Sequence, residues 1–235
     1  MKKIVVKYID EASSTNDDIK KLTIDSSEML ILVANRQTTG RGCGSNSWES
    51  EAGKNLTFSV RYHPDKVDAR HQFVISMQTA VALCRTMNDF GIITTIKWPN
   101  DIYYGDMKLA GILIENRLRA STIEETIIGI GLNINQTHFT SDAPNPISMK
   151  LISGKEYTTN DVLDTFLHYF SVINTDIYAD YRSLLYRSSG FYRYIDKNGE
   201  FTAEIAEIAP DGIISLRDTN GTIRKYAFKE VAFCI

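Results

Sequence analysis

The sequence predicts an α+β fold: a mixed β-sheet packed with helices, followed by a small β-barrel. Three observations carry this. Continuous apolar runs of strand length, residues 29–34 and the middle of 108–115, read as buried strands. Residues 69–90 place Phe73, Met77, Ala80, Val81, Cys84 and Met87 at helical spacing, as a core helix requires. After Gly190, short strands alternate with Asp-Gly and Asn-Gly turns, the pattern of a small barrel. That change of texture divides the chain into residues 1–190 and 191–235.

Taken in order, residues 4–9 form a first strand. Ser13-Ser14-Thr15-Asn16-Asp17-Asp18 is rich in N-cap residues and opens a short helix through Leu22. Capping alone accounts for Ser14, Thr15 and Asn16, and the same turn can also offer hydroxyl and amide groups to a polar ligand. The run at 29–34 leads into Gln37-Thr38-Thr39-Gly40-Arg41-Gly42-Cys43-Gly44-Ser45-Asn46-Ser47-Trp48. This stretch combines free backbone N–H groups, little bulk and one full charge at Arg41, so it can close on an anion or serve as a plain surface loop. Residues 55–62 alternate as a strand, and Gly91 ends the core helix.

Residues 92–96 are a β-branched strand. Pro99 turns the chain within Lys97-Trp98-Pro99-Asn100-Asp101 and presents Lys97, Asn100 and Asp101 together. Strands at 102–104, 108–115 and 126–135 follow. In the last, Gly129 and Gly131 leave one face bare, which fits either a flat ligand or a bend. Residues 142–146 read as a proline-containing loop and 147–154 as unpatterned. Asn160 or Asp161 caps one long helix toward Tyr186, with Leu163, Phe166, Leu167, Phe170, Ile173 and Ile177 on its apolar face.

A net charge of −3 provides no general attraction to nucleic acid or an anionic membrane. Cys43, Cys84 and Cys234 are odd in number and widely spaced, and His63, His71, His138 and His168 do not cluster. Neither set suggests a disulfide framework or zinc site, and Cys84 reads as an inert core thiol. Lys7 and Asp10 interrupt the N-terminal apolar run too early for a signal peptide, and no stretch approaches a membrane span. The expected site of action is a reducing cytoplasm.

The ordered set of Ser14-Thr15-Asn16, Gly40-Arg41-Gly42 with Trp48, Lys97-Trp98-Pro99-Asn100-Asp101, Lys108-Leu109-Ala110-Gly111-Ile112-Leu113 and Gly129-Ile130-Gly131-Leu132-Asn133-Ile134-Asn135 closely resembles the biotin–protein ligases. The resemblance covers nearly the whole chain. It implies a class II synthetase-like catalytic domain at 1–190 and an SH3-like barrel at 191–235. It also implies ATP and biotin as substrates, with Mg²⁺, and a biotin carboxyl carrier protein as partner. The implied reaction joins the biotin carboxylate to the α-phosphorus of ATP. The biotinyl group then passes to a carrier lysine.

Two anions meet in the first step, so positive charge must stabilise it. Arg41 and Lys108 are the expected catalytic residues. By analogy with the family, Ser14, Thr15, Asn16, Gln37, Gly40, Arg41, Gly42, Cys43, Lys108, Gly111, Gly129 and Gly131 bind biotin. Arg41, Trp48, Lys97, Asn100, Lys108 and Asn133 bind ATP. Trp48 is expected to stack near adenine or simply to anchor the loop. Asp101 either orients a lysine, helps hold the metal or caps its turn.

Two departures stand out. Cys43-Gly44-Ser45 replaces the basic or amide-bearing residues many relatives carry, so the loop is expected to close less firmly on biotinyl-AMP. Phe233-Cys234-Ile235 also lacks an arginine that some relatives place near ATP. A lipoate–protein ligase would share fold and chemistry, but the Lys97–Asp101 motif and the C-terminal barrel favour biotin. The catalytic pattern starts too early to leave room for a helix-turn-helix, so no DNA partner is expected. Arg41 and Lys108 argue against an inactive biotin binder. Monomer and homodimer both remain open.

Overall fold

A computed structural model describes residues 2–44, 46–140, 145–172 and 176–235. Ser45, residues 142–144 of the proline-containing loop and Ile173 therefore lie outside the described residues. A seven-stranded mixed sheet is built from β1 (Lys3–Ala12), β2 (Glu28–Gln37), β3 (Leu56–Tyr62), β4 (Thr95–Lys97), β5 (Asp101–Tyr104), β6 (Met107–Arg119) and β7 (Thr122–Leu132), in the order β1-β2-β3-β7-β6-β5-β4. Among its described strand pairs, β1 and β2 run parallel and the others antiparallel.

Alternation along the central strands gives the sheet two unlike faces. Leu56, Phe58 and Val60 of β3 lie opposite Leu132, Ile130 and Ile128 of β7, all buried. This face packs against α2 (Phe73–Asp89) and α4 (Thr159–Ser171). Phe58 meets Phe166 edge-on at 5.4 Å between ring centroids, a favoured geometry for buried aromatics. The opposite face carries Thr57, Ser59, Gly129, Gly131 and Gly111 in adjacent register and opens into a cleft.

A second sheet, wholly antiparallel, contains β8 (Tyr192–Asp196), β9 (Gly199–Ile208), β10 (Ile214–Asp218), β11 (Ile223–Tyr226) and β12 (Val231–Phe233), ordered β11-β10-β9-β8-β12. It shares the main apolar core with the first sheet. Trp98 Nε1 donates to Gly212 O at 3.0 Å, tying the β4–β5 turn to this sheet.

Several sequence expectations need correction. The single helix expected toward Tyr186 is two: α4 ends at Ser171, and α5 (Ile177–Ser183) starts at a new N-cap, Asp176, which accepts from Ala179 N at 3.1 Å. Residues 147–154 contain a short helix, α3 (Met149–Ser153). Ser148 caps it by accepting from Leu151 N at 3.2 Å, and Gly154 ends it at φ +74°. The strand expected at 92–96 forms only as Thr95–Lys97. The core helix begins at Phe73, after a separate 3₁₀ turn at Ala69–His71. Cys84 behaves as expected: it is buried, and burial pushes its thiol up to about 12. Among the described residues no helix is long and apolar enough to cross a membrane.

Candidate active site

The motifs converge on one cleft of about 960 Å³ beside the glycine face of the large sheet. Its two ends differ in chemistry. At the first, α1 (Thr15–Asp18) follows β1, with Ser14 at the N-cap position. The Ser14 side chain makes no capping bond, so the simple capping account fails there; the buried residue lines the cleft instead. Thr15 donates from its backbone N–H to Gln37 Oε1 at 2.8 Å and from its hydroxyl to the same atom at 3.2 Å. Ser59 Oγ lies 2.8 Å from Thr15 Oγ1 and donates to Asn16 Oδ1 at 2.6 Å. Asn16 Nδ2 in turn donates to Glu115 Oε2 at 2.9 Å. This buried network fixes the neutral polar groups in place.

The bare face expected along β7 is filled. A methyl group on Gly129 would overlap the Asn16 amide, and one on Gly131 would overlap the Trp48 indole. Gly131 pairs with Gly111 across β6, and the two form a platform on which the indole lies. Trp48 thus takes the place foreseen for a flat ligand. Its Nε1 is buried with no hydrogen-bond partner among the described residues, as is Asn133 Oδ1. Asn133 Nδ2 donates to Ile147 O at 3.0 Å, which makes this residue a brace for the cleft wall.

The loop between β2 and β3 folds as a small hairpin. Trp48 N donates to Gly40 O at 2.9 Å, Gly42 N donates to Asn46 O at 2.7 Å, and a methyl on Gly40 would press on Trp48 O at 2.5 Å. Arg41 points to an acidic pair: Nη1 lies 2.6 Å from Asp17 Oδ1 and Nη2 lies 3.1 Å from Glu115 Oε1. Burial works to raise the Glu115 pKa. Hydrogen bonds from Asn16, Arg41 and Lys20 outweigh it and hold the carboxyl below the usual range.

The second end is cationic. Lys108 sits at the start of β6, where its backbone is held by Asn145 O (2.7 Å) and Ile147 N (2.9 Å). Its Nζ lies 2.8 Å from Asp101 Oδ1, with Gly111 leaving room for the side chain. Asp101 therefore orients a lysine. Among the described residues, no group of three or more His, Cys, Asp or Glu side chains could hold a metal. Lys97 lies between the rings of Tyr103 and Phe233, 5.2 Å from each centroid. Burial, aided by the charges of Lys108 and Arg187, lowers its pKa despite Asp101 nearby. Asn100 Nδ2 donates to Ile112 O at 2.6 Å and to Cys43 Sγ at 3.0 Å, which joins the loop to the β5–β6 hairpin. Burial raises the Cys43 thiol pKa, so this sulfur is a neutral packing group.

The Biotin/lipoate A/B protein ligase family model matches residues 8–133, more than half of the chain. The chain belongs to this family. Among relatives of the ligase family, the bifunctional ligase/repressor BirA of Bacillus subtilis is 30% identical over 237 residues, covering 93% of this chain and 70% of the relative. The human biotin–protein ligase is 35% identical over 115 residues, 46% of this chain and 16% of that protein. The structure of Aquifex aeolicus biotin protein ligase in complex with biotin and ATP superposes with a TM-score of 0.78 at 22% identity, covering 99% and 98% of the two chains. That likeness confirms the fold expected from the ligase motifs, including the small C-terminal sheet.

Of the expected site residues, all but Gly40 line this cleft. Ser59, Glu115, Asp17, Phe233 and Lys229 also belong to it or brace it, and sequence reasoning missed them. Ser59 alone carried a signal, as a polar residue on the face of β3 opposite its apolar side.

Proposed function

We propose that this chain activates biotin with ATP to form biotinyl-5′-AMP and transfers the biotinyl group to a lysine of a biotin carboxyl carrier protein. The observation carrying this reading is the pairing, in one cleft, of a neutral hydrogen-bonding end with a cationic end. Biotin has the matching asymmetry: a neutral ureido ring and a carboxylate tail. Complexes of the Aquifex enzyme with biotin and ATP, and of the Helicobacter pylori biotin acetyl coenzyme A carboxylase synthetase with biotinylated ATP, support it.

In the first step a biotin carboxylate oxygen attacks the α-phosphorus and pyrophosphate leaves. Lys108, held by Asp101, offsets the repulsion between carboxylate and α-phosphate. In the second step the carrier ε-amine attacks the mixed-anhydride carbonyl, and AMP leaves with the electron pair. Ser14, Thr15, Asn16 and Gln37 face the ureido ring. Lys97, Asn100 and Trp48 face the nucleotide. Arg41 turns from its acidic pair to the phosphate when ligand is bound. Mg²⁺ enters as the ATP complex. Residues 1–190 form the catalytic domain and 191–235 the SH3-like domain, and the protein works in the cytoplasm without DNA or membrane.

The carrier docks along β1. This strand is an outer edge of the large sheet, and its end leads to Ser14. The opposite edge, β4, is covered: Ile96 N donates to Leu184 O and Tyr186 N donates to Ile96 O.

Radiolabelled biotin and lipoate, supplied separately with MgATP and a purified carrier domain, test the reading. Biotin should be transferred and lipoate should not; preferential lipoate transfer would overturn the biotin assignment.

A further inference from the structure

Four cations line the cleft: Arg41, Lys97, Lys108 and Lys229. Arg41 is paired with Asp17 and Glu115, and Lys108 with Asp101. Lys97 is enclosed by two rings. Lys229 differs from all three. It is exposed, extends from the β11–β12 turn of the second sheet, and has no ion-pair partner among the described residues. Its Nζ lies 5.8 Å from the ring centroid of its neighbour Phe228.

Its placement is specific. Lys229 adopts φ +69°, a left-handed conformation a lysine rarely takes, and this aims the side chain toward the Gly-rich hairpin. There its ammonium packs so closely over Gly44 (φ +71°) that a methyl on Gly44 would overlap it. The charge thus sits on Cys43-Gly44, a loop segment that has none of its own. A free cation held over a glycine hairpin, at the mouth of a cleft with other cations, suits a phosphate group reaching the hairpin from inside.

We propose that Lys229 is a phosphate-binding residue of this cleft, contacting the nucleotide phosphates beside Gly44. This rests on the nucleotide reading of the cleft and adds a residue to it. The hairpin then has charge available from a neighbouring element, and retention of the acyl-adenylate depends on it.

The test uses the full chain with Lys229→Ala and Lys229→Arg. MgATP affinity is measured by calorimetry without turnover, biotin affinity in the absence of nucleotide, and biotinyl-AMP escape by rapid dilution. Lys229→Ala should weaken MgATP binding and speed intermediate escape by about fivefold to tenfold, the scale of one exposed charge-assisted contact. Biotin affinity should stay within about twofold, because the contact is to phosphate alone. Lys229→Arg should restore most of the loss, and so should adding Cys43→Arg to Lys229→Ala. Unchanged MgATP affinity and escape in a folded Lys229→Ala protein overturn the inference and leave the ligase reading standing. A parent chain that binds MgATP, loses that binding in Lys229→Ala, yet forms no biotinyl-AMP, supports the phosphate contact while the ligase reading falls.

Discussion

The two ends of the cleft are held by different physics. At the neutral end, Thr15, Asn16, Ser59 and Gln37 are buried or half-buried and hydrogen-bond to one another, so their geometry is set before any ligand arrives. At the cationic end, Lys108 is tied to an acid, Lys97 is enclosed by rings and Lys229 has no ion-pair partner among the described residues. A preformed network suits a ligand group whose shape does not change. Charges that exchange partners suit a group whose charge is redistributed during reaction. The first end should therefore govern affinity, and the second should govern rate.

Lys108→Ala breaks that comparison most strongly. Loss of a single preorganised cation at the reacting atoms should lower kcat for adenylate formation by about 100- to 1,000-fold with little change in biotin affinity, read by pyrophosphate release. A variant retaining full kcat would remove Lys108 from the chemistry. Ser59→Ala should act the other way. It removes the hydroxyl that positions Thr15 and Asn16, so biotin KM should rise about tenfold while MgATP KM and kcat hold. Equal loss in both KM values would mean that the two ends are not separable.

Lys97→Met sharpens the comparison through stability. Burial disfavours the lysine charge, so the variant should melt higher at neutral pH, by about 2–4 °C, while MgATP binding weakens. The sign follows from linkage. A lysine whose folded pKa lies below its ordinary value destabilises the fold while charged. Stability is regained as pH rises from that lowered folded pKa toward 10.5. The melting difference between parent and variant should shrink over that window.

Much of this was legible in the sequence because the motifs combine local backbone needs with side-chain chemistry. Gly129 and Gly131 announced a face without side chains, and that face exists. What covers it was not legible. Asn16 and Trp48 arrive from distant segments, and nothing local to β7 encodes their approach. The ion pairs of Arg41 and Lys108 are likewise tertiary, and they turned one expected phosphate ligand toward Asp17 and Glu115. Some errors were avoidable. Ser148 and Gly154 bracket α3 as ordinary caps, and Asp176 marks the restart that divides the expected long helix. The apolar spacing from Leu163 to Ile177 concealed that break by continuing across it.

The indole on the glycine platform has an optical consequence. The chain contains two tryptophans. Trp98 is buried, with its N–H bonded to a carbonyl between the sheets, whereas Trp48 rides on the hairpin with its N–H dry and unpaired among the described residues. One chromophore is anchored in the scaffold and the other is carried by the hairpin. Any lifting of the hairpin moves a single emitter from peptide backbone into water, so the protein's own fluorescence separates motion of the loop from change in the body.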